Sequence, residues 1–173
     1  MIAEHGAEKV TMDGLAERAG LGKGTVFRRF GNRAGIFRAL IEDSEHRFQE
    51  RVLCGPPPLG PGAGPRERLV AYGRARVPFV LEHHALARSA MDPGQTGEVG
   101  AVGMTRAHFR MLLGRTDLPP SQLDGLSIQL TSALEGPMLL YLSVEDPPEP
   151  AEPAADHLLV DSWQVLVERL LPD

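Results

Sequence analysis

An all-α fold, a three-helix head followed by a larger helical body, is predicted by three features of this 173-residue sequence. Apolar residues recur at three- and four-residue spacing almost throughout, the signature of helices that bury one face. The β-branched alternation between tight turns that marks a sheet does not occur. Pro/Gly-rich breaks then cut the chain into helix-length pieces: GPPPLGPGAGP at 55–65, DPPEPAEP at 146–153, and shorter ones at Asp92-Pro93-Gly94 and Leu118-Pro119-Pro120. The expected helices span 1–5, 12–19, 23–30, 32–53, 65–90, 97–114, 121–144 and 154–171. They divide into a head over 1–45 and a body over 46–173.

Composition narrows the function. Hydrophobic residues make up 42% of the chain, enough to bury a core and too many for a disordered segment. The single cysteine, Cys54, excludes a disulfide framework and a cysteine-based zinc site. No apolar run approaches the roughly 18 residues of a membrane span. The opening MIAEHGAEKV lacks the basic leader and apolar stretch of a secretory signal, so a soluble, cytoplasmic protein is expected. The net charge of −5 argues against a uniformly basic surface, but the charge is uneven. Residues 1–53 hold nine Lys/Arg against eight Asp/Glu, a net of +1, and the remainder holds nine against fifteen, a net of −6. From Arg18 to Arg38 six basic residues fall within 21 positions without one acid. Such a block attracts phosphate, although a solvated helix face accounts for the charge alone equally well.

Within residues 10–44 the first short helix opens at Thr11, a good N-cap, with Asp13 placed well in its first turn. Leu15, Ala16 and Ala19 share its inner face, and Gly20 follows where a helix stop tolerates φ > 0. The second helix starts near Lys23 and turns Val26 and Phe30 inward, leaving Lys23, Thr25, Phe27, Arg28 and Arg29 largely outward. Small Ala16 at the crossing, a glycine turn and a basic second helix make a helix-turn-helix.

This stretch resembles the DNA-binding head of the tetracycline-repressor (TetR) family. The resemblance is carried by Thr11, Leu15-Ala16, Ala19-Gly20, Gly24-Thr25-Val26-Phe27, Phe30, Gly31-Asn32 and Arg33, within about a fifth of the chain. It implies a homodimeric transcription factor, usually a repressor that a small ligand releases from double-stranded DNA. Carried onto these residues, it assigns Lys23 and Arg28 to base edges, and Phe27 to sugar-phosphate or a thymine methyl. Thr11 and Thr25 offer hydroxyls to phosphate, Gly24 belongs to the same DNA-facing motif, and Arg33 sits beside the positive end of the next helix. Arg29 is open to two readings, a phosphate contact or an internal ion pair, and Asn32 reads as a helix cap. The family's first helix begins well upstream of Ile2, whereas only MIAEHG stands there, so residues preceding Met1 are expected to complete it.

In the body, helix 32–53 is about 33 Å long at about 1.5 Å per residue, and Ile36, Phe37, Leu40, Ile41 and Phe48 give it an apolar stripe. The resemblance makes it a lever from ligand to head. Leu123, Leu126, Leu130, Leu134, Met138 and Tyr141 on one late helix recur at helical spacing, as do Leu159, Trp163, Leu166 and Leu170 on the other. These either close a monomer core or, as the resemblance implies, pair with a second copy in a four-helix bundle. Tyr72, Phe79, His83, Met104, His108, Phe109 and Met111 are core residues by composition, and walls of an effector cavity by resemblance.

Catalytic signals are missing from the sequence: no Gly-x-Ser-x-Gly elbow, no phosphate-binding glycine loop and no HExxH. His83 and His84 are adjacent and diverge by about 100° on a helix, which is poor geometry for one metal ion. No enzyme activity, catalytic residue, cofactor or metal is expected. The rival reading is a helical small-molecule-binding or interaction protein that has lost operator binding.

Overall fold

A computed structural model describes residues 10–90, 100–143 and 154–172, and the helix predicted at 1–5 lies outside them. The described elements are all helical: α1 (Met12–Ala19), α2 (Lys23–Phe30), α3 (Arg33–Cys54), α4 (Pro65–Ala90), α5 (Gly100–Leu113), α6 (Leu123–Ser143) and α7 (Ala154–Leu170). A 3₁₀ turn at Pro120–Gln122 precedes α6, so that helix starts two residues later than its apolar pattern suggests.

Local chemistry sets the ends. Thr11 Oγ1 accepts the Gly14 N–H at 3.1 Å and caps α1. Gly20 ends α1 at φ 64°, a left-handed conformation that L side chains resist, and the Leu21 N–H returns to the Ala16 carbonyl at 2.9 Å. Asn32 Oδ1 takes the Gly35 N–H at 2.8 Å and opens α3. At the head of α4 the Glu67 carboxylate accepts the Gly64 N–H at 3.1 Å, one half of a capping box, with Pro65 at the first helical position.

The chain forms two units. The smaller comprises residues 1–46 with 83–97, the larger 47–82 with 98–173. The smaller unit thus joins the start of the chain to the end of α4. Its core is Val10, Ile36 and Phe37, with Met12, Leu15, Phe30, Leu86 and Ala90 packed around it. Leu86 and Ala90, from the end of α4, thus cover part of this unit's apolar core.

Aromatic rings dominate the larger unit's core. Phe48 meets Tyr72 edge-on at 5.3 Å and Phe79 at 5.2 Å, while Tyr72 meets Phe109 at 4.9 Å. Phe109 in turn stacks on Trp163 at 5.6 Å. The Trp163 indole N–H donates to the Leu69 carbonyl at 2.8 Å, and its ring lies so close to Gly73 that an added Cβ would stand 2.0 Å from Cδ1. Polar residues run through this core at one-turn spacing: Arg68, Tyr72 and Arg76 on α4, and Ser127, Thr131 and Glu135 on α6, all buried. Arg76, 1% exposed, donates to both Glu135 carboxylate oxygens, at 2.8 and 3.2 Å, and its guanidinium lies over Phe79 at 4.8 Å and Phe48 at 5.3 Å. A buried charge pair needs such saturation, because desolvation otherwise outweighs its attraction.

Candidate nucleic-acid interface

Helix α2 buries only Val26 and half-buries Phe30, leaving Lys23, Gly24, Thr25, Phe27, Arg28 and Arg29 exposed. Phe27 stands half in solvent, 50% exposed. Among the described residues Arg28 meets no hydrogen-bond or ion-pair partner. Lys23 is engaged: its Nζ lies 2.7 Å from Asp13 Oδ2 on α1, with both side chains largely in water. Such exposed pairs are weak and exchange readily for a phosphate. Thr11 and Thr25 are also exposed, and the Thr11 hydroxyl oxygen is already used in capping α1.

Arg33 is exposed and also serves the fold. Its Nε donates to the Val10 carbonyl at 2.9 Å and its guanidinium lies 5.1 Å from the Phe37 ring, so it secures the chain entering α1 to the smaller unit's core. Arg29 lies over Phe30 at 5.8 Å and, with Arg38 and Glu42, lines an open cleft of about 450 Å³. Of the two readings left open for Arg29, no internal ion pair forms among the described residues.

Gly24 lies exposed on α2. A Cβ added there meets nothing within 4 Å, so neither space nor backbone conformation inside the chain demands glycine.

The other predicted site residues divide. Tyr72, Phe79, His108 and Phe109 come together in the larger unit's aromatic core, with Tyr72 Oη 2.8 Å from Thr105 Oγ1 and the Tyr72 ring stacked on His108 at 5.6 Å. Met104 and Met111, 44% and 43% exposed, point outward from α5 instead of lining that cluster, because Thr105, His108, Phe109 and Leu112 occupy its inner face. His83 belongs to the smaller unit. The set predicted to face a second copy needs a larger correction. Leu130, Leu134 and Trp163 are buried in the larger unit's own core, and Leu123, Leu126, Leu159 and Leu170 pack partly against it. Leu166 is exposed, as are Ile128, Leu158 and Val165, which the sequence reading passed over. The side chains of Met138 and Tyr141 lie outside the described residues.

His108 is 9% exposed and its Nε2 has no hydrogen-bond partner. Burial, with the positive charge of Arg68 added, pushes its pKa down from 6.5 to about 4. The folded state therefore holds a neutral imidazole that the unfolded chain protonates first. Stability is full above pH 6.5 and is lost as pH falls toward 4, by about 3 kcal/mol at about 1.36 kcal/mol per pKa unit. Urea unfolding between pH 7.5 and 4 checks this, and His108→Phe is expected to flatten that part of the slope.

Comparison with known proteins points the same way as the geometry. The family model for bacterial regulatory proteins of the tetR family matches residues 1–40. A search among curated proteins finds no match. Among the described residues no helix is long and apolar enough to cross a membrane.

Proposed function

We propose that the chain is a DNA-binding transcriptional regulator of the tetR family, whose model its residues 1–40 match, and that it binds a near-palindromic operator as a homodimer, represses transcription there and is released by a small molecule. In this reading the head over residues 1–45 engages DNA, and residues 46–173 hold the effector and pair the two copies. The observation that carries it is the outward row of Lys23, Thr25, Phe27 and Arg28 on a helix that buries one residue, Val26. A row of that chemistry suits a major groove, with cations and a hydroxyl for base edges and phosphates and an apolar ring for sugar or thymine methyl.

The test is selection of bound duplexes from a random pool, followed by affinity measurement across a salt series. A half-site repeated in inverted orientation and an affinity that falls steeply with salt are expected. Sequence-independent binding, or none, would overturn the operator assignment. Gly24→Gln sharpens the test. Removing a helical glycine stabilises the head by up to about 1 kcal/mol, while the new side chain stands between α2 and the duplex and weakens binding at least tenfold.

Support for pairing comes from the exposed apolar residues of the last two helices. Leu158, Val165 and Leu166 lie outward on α7, and Gly125, Ile128, Gln129, Ser132 and Ala133 give α6 an exposed surface of mostly small side chains. Facing their symmetry mates, these helices make a four-helix contact from the outer face, with Trp163 and Leu130 serving the fold behind it. The double substitution Val165→Asp, Leu166→Asp is expected to convert dimer to monomer in sedimentation velocity while the helical circular dichroism persists. A dimer that survives it places the interface elsewhere.

A further inference from the structure

We propose that α7 pairs antiparallel with the α7 of a second copy, with Val165 on the two-fold axis and Asp161 of each copy against Arg169 of the other. The inference rests on the homodimer reading above and gives that contact an orientation and a register.

Helical geometry defines the outer face of α7. At about 100° per residue, Leu158, Asp161, Ser162, Val165 and Arg169 fall within a strip about 100° wide, and all five are exposed. Val165 lies near the middle of the strip, and the buried Trp163 and Val167 lie on the opposite side of the helix. The apolar members of the strip stand well out in water, Leu158 at 67% and Val165 at 57%. Apolar side chains gathered on one outer face mark a contact surface.

Charge identifies what covers it. Gln164 and Glu168, on one flank of the strip, are engaged within the chain. The Gln164 amide donates to the Glu168 carboxylate at 2.7 Å and accepts from Arg74 of α4, while Arg66 of the same helix stands 4.0 Å from Glu168. Asp161 and Arg169 differ. Among the described residues neither meets a hydrogen-bond or ion-pair partner. Eight positions apart on the helix, about 12 Å, they do not reach each other. The row Asp161, Val165, Arg169 thus runs acid, carbon, base at four-residue steps. Turned end for end, it is its own complement.

That pattern selects one pairing. In a parallel pair each residue faces its own copy, so carboxylate meets carboxylate and guanidinium meets guanidinium. In an antiparallel pair, residues equally far before and after the axis face each other. With Val165 on the axis, carbon meets carbon at the centre and an Asp161–Arg169 pair closes each side, one contact made twice by symmetry. Leu158 then reaches toward the exposed Pro172 at the end of the partner's helix. A rival antiparallel register, centred between Asp161 and Ser162, sets Leu158 against Val165 but brings the two Asp161 carboxylates together beside the axis. Like charges across a contact disfavour that register.

Sedimentation equilibrium of the full chain tests the pairing. Asp161→Arg and Arg169→Asp, each alone, set like charges together on both sides of the axis. Each is expected to raise the dimer dissociation constant about tenfold or more at low salt, and the two combined to return it to within about threefold of native. Both positions are exposed, so circular dichroism is expected to show the native helix content throughout. Cross-linking reads the register. In a Cys54→Ser background, which removes the exposed native thiol, Val165→Cys is expected to oxidise to a covalent dimer and Asp161→Cys is not. Only residues beside the axis come within disulfide reach of their own copies. Single reversals that dimerise like the native chain, a double as weak as the singles, or linkage through position 161 in preference to 165 each overturn the register. Those results leave the homodimer reading standing, because the native chain still sediments as a dimer. A native chain that stays monomeric at high micromolar concentration overturns both.

Discussion

Arg76→Met is expected to destabilise the fold by about 3–5 kcal/mol, a large share of the 5–15 kcal/mol typical of a domain. The substitution keeps most of the side chain's volume and removes its charge, stranding the Glu135 carboxylate, which is 5% exposed in the same core. Both hydrogen bonds to that carboxylate are lost, along with the cation lying over Phe48 and Phe79. The double variant Arg76→Met, Glu135→Leu separates the worth of the pair from the cost of breaking it. Replacing both partners by apolar residues of similar size is expected to bring stability back to within about 1–2 kcal/mol of the native chain. Urea unfolding of the native chain, both singles and the double closes the cycle. Single variants as stable as the native chain would mean that Arg76 and Glu135 are not paired in solution.

Arg28→Ala is expected to lower operator affinity more than any other single change in the head. Its side chain is exposed and, among the described residues, has no partner to lose, so folding is left unchanged. A base-edge contact contributes about 1–3 kcal/mol, and a symmetric dimer loses it twice. The expected loss is therefore about 2–6 kcal/mol, roughly 30-fold to 25,000-fold, with altered base preference at one position of each half-site. Fluorescence anisotropy at fixed salt measures the loss, and repeating the duplex selection reads the preference. A small loss shared equally by all sequences would reassign Arg28 to phosphate.

Much of this was legible in the sequence because local chemistry decides it. Thr11 and Gly20 bound α1, Gly31 follows α2, and Pro65 opens α4, each through capping or backbone geometry that neighbouring residues supply. What escaped was whatever depends on distant partners. Both α6 and α7 carry apolar residues on more than one face, so periodicity finds a helix without saying which stripe goes inward. Trp163 and Leu130 went to the core, leaving Val165 and Ile128 outside. Arg76 and Glu135 lie 59 positions apart and each reads as a solvated charge. The available signal was their spacing: Arg68, Tyr72 and Arg76, like Ser127, Thr131 and Glu135, repeat every four residues along one face of a helix. Arg33 was assigned by its place at a helix start, and only the fold reveals that the Val10 carbonyl takes its Nε–H.

The closeness of the Trp163 indole to the bare backbone at Gly73 also bears on how this sequence changes over generations. Glycine inside a helix weakens it by roughly 0.5–1 kcal/mol relative to alanine, so helix stability alone favours its replacement. With Cδ1 at 2.0 Å from where a methyl would go, that replacement is barred while the indole stays. A side chain at position 73 therefore requires a smaller residue at 163 first, whereas glycine at 73 accepts either.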